Sequence, residues 1–181
     1  PADIPTVDLS KFTTVVVGPR AYQASQDLVN NNSYLLEYAK NGGTLVVQYG
    51  QYEMTKPGMM PYPITLARPA DRITEEVAPL TILDDKSPAF NHPNKITQAD
   101  FNGWVQERSL YMPRTFDAQY HPLMAGNDPG EPANRGAILV TPYGKGMYVY
   151  TTLSFFRQLP AGNPGGTRLF VNLLSMKAPG R

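Results

Sequence analysis

The sequence contains no cysteine, and histidine occurs only as His92 and His121. The absence of thiols excludes disulfide bonds, cysteine nucleophiles, cysteine-ligated zinc and iron–sulfur clusters. Two histidines are too few for a three-histidine metal site. We therefore expect neither a metal nor another cofactor. Cysteine usage does not decide whether the protein works in a reducing or an oxidising compartment, because a cysteine-free chain suits both.

The chain also lacks an excess of either charge and any long apolar run. Lysine and arginine number 16 against 15 aspartates and glutamates, which gives a formal net charge of +1. Binding to nucleic acid or to an anionic membrane usually requires a basic excess. A membrane-spanning helix needs about 20 apolar residues in succession, and residues 1–12 do not have the features of a signal peptide. These absences predict no nucleic-acid partner and no membrane partner.

Proline and glycine, by contrast, are abundant. The 181 residues include 18 prolines and 15 glycines, yet 41% of the residues are hydrophobic. This composition is typical of a folded chain with many loops rather than of a disordered one. The length is that of one ordinary domain, so we assign residues 1–181 to a single domain.

The N-terminal half has the pattern of a strand–helix–strand unit. Residues 12–17 are rich in β-branched side chains and residues 44–49 form a second apolar run, both typical of strands buried on two faces. Between them, residues 27–40 carry apolar side chains at helical spacing and are followed by Asn-Gly-Gly at 41–43, which stops a helix. The unit predicts two parallel strands joined by a right-handed crossover.

The C-terminal half is dominated by loops and antiparallel signals. Dense prolines predict an extended loop over residues 50–79, and short strands are predicted over 80–83 and 120–125. Residues 136–153 carry the clearest hairpin, in which a Gly-Lys-Gly tip separates two β-rich runs. Residues 164–176 predict a final amphipathic helix.

Several of these segments resemble a known family. Residues 14–22 (TVVVGPRAY) and 41–49 (NGGTLVVQY) are similar to the class I glutamine amidotransferase-like fold. Three further blocks resemble, more narrowly, the amidotransferase-like domain found C-terminal to bacterial PIG-L-type N-acetylglucosaminyl deacetylases. They are residues 100–108 (DFNGWVQER), 142–146 (PYGKG) and 154–160 (SFFRQLP).

The resemblance implies an α/β fold, a three-layer flavodoxin-like parallel sheet with an antiparallel edge hairpin and long proline-rich loops. It also implies a role in carbohydrate or sugar-deacetylase systems, a deacetylase domain as partner, and a periplasmic or secreted location. Family members carry a further strand–helix–strand ahead of the segment matching residues 12–17, so we expect the chain to be N-terminally truncated. The sheet edge near residues 12–17 should then be open, or covered by a partner such as a second copy of the chain.

The resemblance does not bring a catalytic nucleophile with it. Active amidotransferases carry a cysteine on a sharp turn between a strand and a helix. The matching positions here are Gln48-Tyr49-Gly50-Gln51, and prolines follow where the helix would run. The sequence therefore predicts a non-catalytic accessory domain with a binding or a structural role.

If the chain binds a ligand, the carboxyl ends of its parallel strands are the expected place, because open α/β sheets bind ligands there. A second candidate region surrounds the single tryptophan, since aromatic faces beside an arginine suit sugars and carboxylates. The predicted ligand-binding residues are Arg20, Tyr22, Gln48, Tyr49, Tyr52, Trp104, Gln106 and Arg108. For Trp104 the alternative is an anchor that packs a long loop onto the sheet.

The alternative to a binding domain is a small hydrolase. In that hypothesis His121 is the general base and Asp117 or Glu107 is its partner. The competing interpretation gives His121 a structural hydrogen bond to a loop. No serine has the Gly-x-Ser-x-Gly context of a hydrolase nucleophile. A purely architectural domain is the third hypothesis.

Overall fold

The computed structural model of the protein describes residues 1–178. Its strands are β1 (Thr14–Val17), β2 (Thr44–Gln48), β3 (Ile64–Thr65), β4 (Asp71–Ile73), β5 (Leu80–Ile82), β6 (Ser109–Met112), β7 (Thr115–Phe116), β8 (His121–Gly126), β9 (Asn134–Tyr143) and β10 (Gly146–Thr151). The helices are α1 (Ala21–Ala24), α2 (Gln26–Asn30), α3 (Asn32–Lys40), α4 (Phe155–Gln158) and α5 (Pro164–Leu174). Short 3₁₀ turns occupy Ile4–Thr6, Leu9–Lys11, Tyr52–Thr55, Pro88–Phe90 and Gln98–Phe101.

Six strands form one mixed sheet in the order β1-β2-β10-β9-β8-β5. The predicted parallel pair is confirmed, with Thr14 opposite Thr44. The predicted hairpin is confirmed as well, since β9 and β10 run antiparallel. Its position differs from the expected edge of the sheet, because β10 also pairs with β2, in parallel. The hairpin therefore joins a parallel half of the sheet, β1-β2-β10, to an antiparallel half.

The sheet is the middle of three layers, which confirms the predicted α/β class. Leu45 and Val47 of β2 belong to a buried cluster that also contains side chains of α1, α2 and α3. Val46, between them, belongs to a second cluster that contains Leu169 and Leu173 of α5. Because side chains alternate along a strand, the two clusters lie on opposite faces of the sheet. No helix in residues 1–178 is long and apolar enough to cross a membrane.

Two N-terminal elements differ from the sequence predictions. The helix predicted over 27–40 is divided at Asn31 into α2 and α3. Strand β1 was predicted to be buried on both faces, and this is wrong: Val16 is 42% exposed. In the described part of the chain β1 pairs only with β2, so it forms an open edge of the sheet.

Two carboxylates hold the proline-rich segment 50–79 to the rest of the molecule. Asp71 of β4 accepts hydrogen bonds from Arg114 and from Asn134. Asp128 accepts from the backbone N–H of Thr74 at 2.8 Å and from its hydroxyl at 2.7 Å. Strands β3 and β4 each pair with a single short strand. The side-chain hydrogen bonds of Asp71 and Asp128 therefore hold the segment where longer paired strands would otherwise do so.

The contribution of Asp128 to stability should depend on pH. Burial alone raises the pKa of this carboxyl, but hydrogen bonds from Glu75 and Thr74 and the charge of Arg72 outweigh it, so the pKa lies below its usual value. The folded protein thus takes up this proton less readily than the unfolded chain. The stabilisation is complete above the unfolded pKa of about 3.9 and is lost as the pH falls through the lower folded pKa.

We therefore expect Asp128→Asn to reduce the free energy of unfolding at neutral pH by about 1–3 kcal/mol, because charged hydrogen bonds become neutral ones. The difference from the unmodified protein should shrink on acidification. Urea unfolding at a series of pH values measures both effects. Asp85→Asn, at an exposed turn, is the matched control. Parallel acid profiles for the unmodified protein and Asp128→Asn would contradict this account.

Candidate functional site

The carboxyl ends of β1, β2 and β10 meet at one edge of the sheet, because these three strands are parallel. Arg20 follows β1, Tyr49 follows β2 and Phe156 follows β10. The backbone N–H of Arg20 donates to the carbonyl of Tyr49 at 2.7 Å, which holds the first two segments together. This edge is the one at which the sequence predicts a ligand.

Four rings, here called the aromatic cluster, cover this edge: Tyr49, Tyr52, Tyr111 and Phe156. Tyr49 is buried, and its ring is stacked on Tyr111 with centroids 6.0 Å apart and planes 6° apart. Phe156 lies 5.7 Å from Tyr49, and Tyr52 meets Tyr111 edge-on at 6.0 Å. Tyr52, Tyr111 and Phe156 are half-buried. Tyr49 is therefore the floor of an apolar surface that the other three rings present to solvent.

Charged groups surround the aromatic cluster. The Arg68 guanidinium lies 3.8 Å above the Tyr52 ring. Arg157 Nε is 3.1 Å from Glu107 Oε1. Burial raises the pKa of the Tyr49 phenol; Arg20 and Arg157 act in the opposite direction, whereas Glu107 adds to the rise. An apolar floor with cationic and anionic side chains at its rim is able to stack a sugar ring and bond its hydroxyl groups.

Backbone strain is concentrated around the same edge. Among residues 1–178, the non-glycine residues with positive φ are Arg20 (55°), Gln106 (62°) and Tyr111 (53°). Two of them belong to the site described above, and Gln106 directly precedes Glu107. Each such residue costs about 1–3 kcal/mol unless its surroundings require it, and strain of this kind collects at functional sites. The clustering supports a functional role for this edge.

Only part of the predicted set of ligand-binding residues reaches this surface. Arg20, Tyr49 and Tyr52 belong to it. Tyr22 does not, because its side chain is buried under the sheet and its hydroxyl donates to Asn32 Oδ1 at 2.5 Å. Gln48 is the last, buried residue of β2.

Two predicted ligand-binding residues of the 100–108 block, Trp104 and Arg108, pack in the core and do not line the site. Trp104 is 2% exposed, and its indole N–H donates to the Asp100 carbonyl at 2.9 Å. Its ring lies between those of Phe101 and Phe155, each 5.9 Å away. Arg108 is buried beside it, with one guanidinium N–H donating to the Phe101 carbonyl. The anchor interpretation of Trp104 fits these contacts.

Gln106 is exposed, and its backbone N–H donates to Glu76 Oε1 at 2.5 Å. Within residues 100–108, Gln106 is exposed and the Glu107 side chain, 16% exposed, pairs with Arg157, whereas Trp104 and Arg108 belong to the core.

The three residues of the hydrolase hypothesis are not brought together as it requires. His121 Nε2 lies 3.0 Å from Asp84 Oδ2, and the histidine side chain is 59% exposed. Asp117 Oδ1 instead accepts from the backbone of Gln119, and Glu107 pairs with Arg157. Nowhere in residues 1–178 do three histidine, aspartate or glutamate side chains gather as a metal site would require.

The turn after β2 does not have the shape of a nucleophile elbow. A four-residue 3₁₀ turn, Tyr52–Thr55, stands where an amidotransferase has a helix. Gly50 lies against Met54, so that a side chain at position 50 would meet the Met54 sulfur at 2.7 Å. Tyr150 Oη accepts a hydrogen bond from the Gly50 N–H at 3.2 Å. The turn is closely packed, and residues 48–51 include neither cysteine nor serine.

Sequence reasoning missed three residues of this site: Arg68, Phe156 and Arg157. The last two follow β10, which was predicted at the edge of the sheet and not beside β2. Tyr111 faces Tyr49 with a left-handed backbone, which a tyrosine rarely adopts. The sequence nevertheless marked Phe156 and Arg157 as residues of interest, because both belong to the SFFRQLP block on which the family resemblance rests.

Comparisons with other proteins bear on the fold. No protein-family model matches the sequence, and no curated protein is significantly similar to it. Among solved structures, the cytoplasmic protein STM3548 from Salmonella typhimurium matches with a TM-score of 0.61 and 16% identity, over 98% of this chain and 76% of that one. The chain shares the fold of that protein. The match supports the predicted α/β architecture.

Two glycosidases contain the same architecture as part of a longer chain. A β-galactosidase from Rahnella sp. R3 matches with a TM-score of 0.53 and 15% identity over 96% of this chain. The exo-β-1,4-mannosidase Op5Man5 from Opitutaceae bacterium strain TAV5 matches with a TM-score of 0.52 and 14% identity, also over 96%. This chain spans 23% of the first enzyme and 27% of the second.

Proposed function

We propose that this chain is a non-catalytic, amidotransferase-like accessory domain that binds saccharides beside a carbohydrate-active catalytic unit. The observation that carries the proposal is the aromatic cluster at the carboxyl ends of the parallel strands. Its half-buried rings lie over the buried Tyr49, within a rim that includes Arg20, Arg157 and Glu107. Ligands of α/β sheets bind at this edge, and aromatic rings that carry a polar group suit a sugar surface.

A binding role is favoured over catalysis by what surrounds the cluster. The chain has no cysteine to act as nucleophile. Position 49, which follows the strand where the nucleophile would stand, is a tyrosine whose ring is stacked in the cluster. Its pKa is raised by burial, so the phenol stays protonated at neutral pH.

The carbohydrate context rests on two independent likenesses. The β-galactosidase and the mannosidase share the fold over about a quarter of their length. The blocks at 100–108 and 154–160 resemble the domain that accompanies PIG-L-type deacetylases. A deacetylase domain is therefore one proposed partner. A second copy of this chain, paired through the open edge of β1, is the other.

Replacing Tyr111 should weaken saccharide binding without unfolding the protein. We expect Tyr111→Asn to weaken binding of neutral oligosaccharides by about 10- to 30-fold, because one stacking face of the cluster is removed. Asparagine is chosen since it tolerates positive φ better than other non-glycine residues. Isothermal titration with β-1,4-mannotetraose, β-1,4-galactotetraose and chitotetraose measures the affinity, and a thermal melt checks the fold.

The matched control is Tyr34→Asn, which removes an exposed tyrosine of α3 outside the cluster. It should leave binding unchanged. If none of the three saccharides binds the unmodified protein, the domain is architectural and the proposal fails. Measurable hydrolysis of glutamine by the unmodified chain would contradict the non-catalytic assignment.

A further inference from the structure

A second concave surface lies beside the aromatic cluster. This cleft, of about 1040 Å³, is enclosed by β4, the β6–β7 corner and the loop that joins β8 to β9. Four of its lining residues are arginines: Arg68, Arg72, Arg114 and Arg135. No lysine lines it, although lysine makes up a substantial part of the chain's cationic side chains.

The residues that line the cleft carry a net positive charge, although the charge of Arg72 also acts on the nearby Asp128. Two carboxylates, Asp71 and Glu131, line it against the four arginines. Asp71 is already paired with Arg114, from which its oxygens accept at 2.6 Å and 2.5 Å. Within residues 1–178, Arg72 and Arg135 form no ion pair. A concave surface of one charge concentrates the electrostatic field and attracts ions of the opposite charge.

Arg114 is held in a fixed orientation. Its Nε–H and one Nη2–H donate hydrogen bonds to the Asp71 carboxylate. The same carboxylate accepts a third hydrogen bond from Asn134 Nδ2 at 2.9 Å. The Nη1 group has no partner within the described residues, and the side chain is 59% exposed. A guanidinium fixed on one edge and open on the other loses little entropy when it binds a planar anion.

The cleft is continuous with the aromatic cluster through one pair of residues. Arg68 lines the cleft, and its guanidinium lies 3.8 Å above the ring of Tyr52, a member of the cluster. The Tyr52 hydroxyl donates to the Ala67 carbonyl at 3.1 Å, and Ala67 also lines the cleft. A chain-like ligand that stacks on the rings thus has the arginines within reach of its next residues.

From this arrangement we infer that the cleft binds the carboxylate groups of an acidic saccharide whose neighbouring sugar rings stack on the aromatic cluster. The inference rests on the proposed function and adds the class of glycan. Arginine is the side chain that matches a carboxylate with two parallel hydrogen bonds. A nucleic acid fits less well, because the chain as a whole carries a net charge of only +1.

The test compares one saccharide with and without its charge. Tetragalacturonate and its methyl ester have the same length and linkage, so the difference in affinity reports the carboxylates alone. We expect the acid to bind the unmodified protein at least about tenfold more tightly than the ester at low salt, and the difference to shrink as salt is added. The double variant Arg72→Gln/Arg135→Gln should lose most of the preference for the acid, and the part that remains is due to Arg68 and Arg114, which also line the cleft.

The control is Lys86→Gln/Lys145→Gln, which removes the same charge from exposed positions outside the cleft. It should keep the preference for the acid. Equal affinity of acid and ester for the unmodified protein, or an equal loss in both double variants, would overturn the inference. Tighter, arginine-dependent binding of inorganic tripolyphosphate than of tetragalacturonate would overturn it in favour of a phosphate ligand.

The two proposals fail in different ways. If the ester binds, Tyr111→Asn weakens it, and the acid has no advantage, the proposed function stands and the acidic glycan is wrong. If the acid binds through the arginines but Tyr111→Asn has no effect, saccharide binding by the aromatic cluster is wrong and the stacking part of this inference falls with it. If neither form binds, the inference is overturned.

Discussion

Gly165→Ala is expected to lower the free energy of unfolding by about 3 kcal/mol or more, although alanine normally stabilises a helix relative to glycine. Gly165 lies in the first turn of α5, directly against the 3₁₀ turn Gln98–Phe101. A Cβ at this position would overlap the Asp100 carbonyl oxygen and lie 2.5 Å from its carbon. The obstacle is backbone, so it cannot move away as a flexible side chain does.

Gly18→Ala is the control for this substitution. Its Cβ would meet no atom within 4 Å, and the backbone does not have positive φ. We expect the free energy of unfolding to stay within about 0.5 kcal/mol of the unmodified protein. Chemical denaturation of the three proteins provides the comparison. A Gly165→Ala protein as stable as the unmodified one would show that α5 does not lie against Asp100 as described.

Trp104→Ala should remove a comparable amount of stability, about 3–5 kcal/mol, as expected for a buried aromatic side chain. The indole fills space between Phe101 and Phe155, and its N–H bonds the Asp100 carbonyl. A melting temperature that barely changes, together with a large loss of saccharide affinity, would instead make Trp104 a wall of the site. Thermal melts with and without saccharide separate the two roles.

Trp104→Phe supplies an intermediate variant. It keeps most of the ring contacts and leaves the Asp100 carbonyl without its indole donor, so we expect a smaller loss than for alanine. Tyr34→Ala, which truncates an exposed ring, should be close to neutral. The order alanine, phenylalanine, unmodified protein in rising stability is the signature of an anchor.

The local elements of the fold could be predicted from sequence, but their arrangement could not. The apolar runs around Val15 and Val46 and the Gly-Gly stop at 42–43 are signals contained within a few residues, and the parallel pair follows from them. The pairing of β10 with β2 depends on residues that are distant in sequence. Only the packing of the whole sheet decides it, so the hairpin was assigned to the edge.

The candidate site shows the same limit. Arg20, Tyr49 and Tyr52 were predicted because they follow strands whose parallel direction was predicted. Phe156 was missed because it follows β10. Trp104 was proposed on composition, since a tryptophan beside an arginine looks alike whether it lines a pocket or anchors a loop. Burial against the 3₁₀ turn Gln98–Phe101 decides between these roles, and no local pattern encodes it.

The position of β10 in the middle of the sheet has a consequence for how the chain folds during synthesis. Strands β1 and β2 and the helices between them leave the ribosome before β10, so the edge of β2 that pairs with β10 stays unpaired until residues 147–151 arrive. During that interval both sides of the two-stranded unit are open to pairing with another chain. Non-local pairing of this kind is slow and exposes the chain to aggregation. We expect nascent chains that stop before residue 146 to depend on chaperones and full-length chains to be released from them.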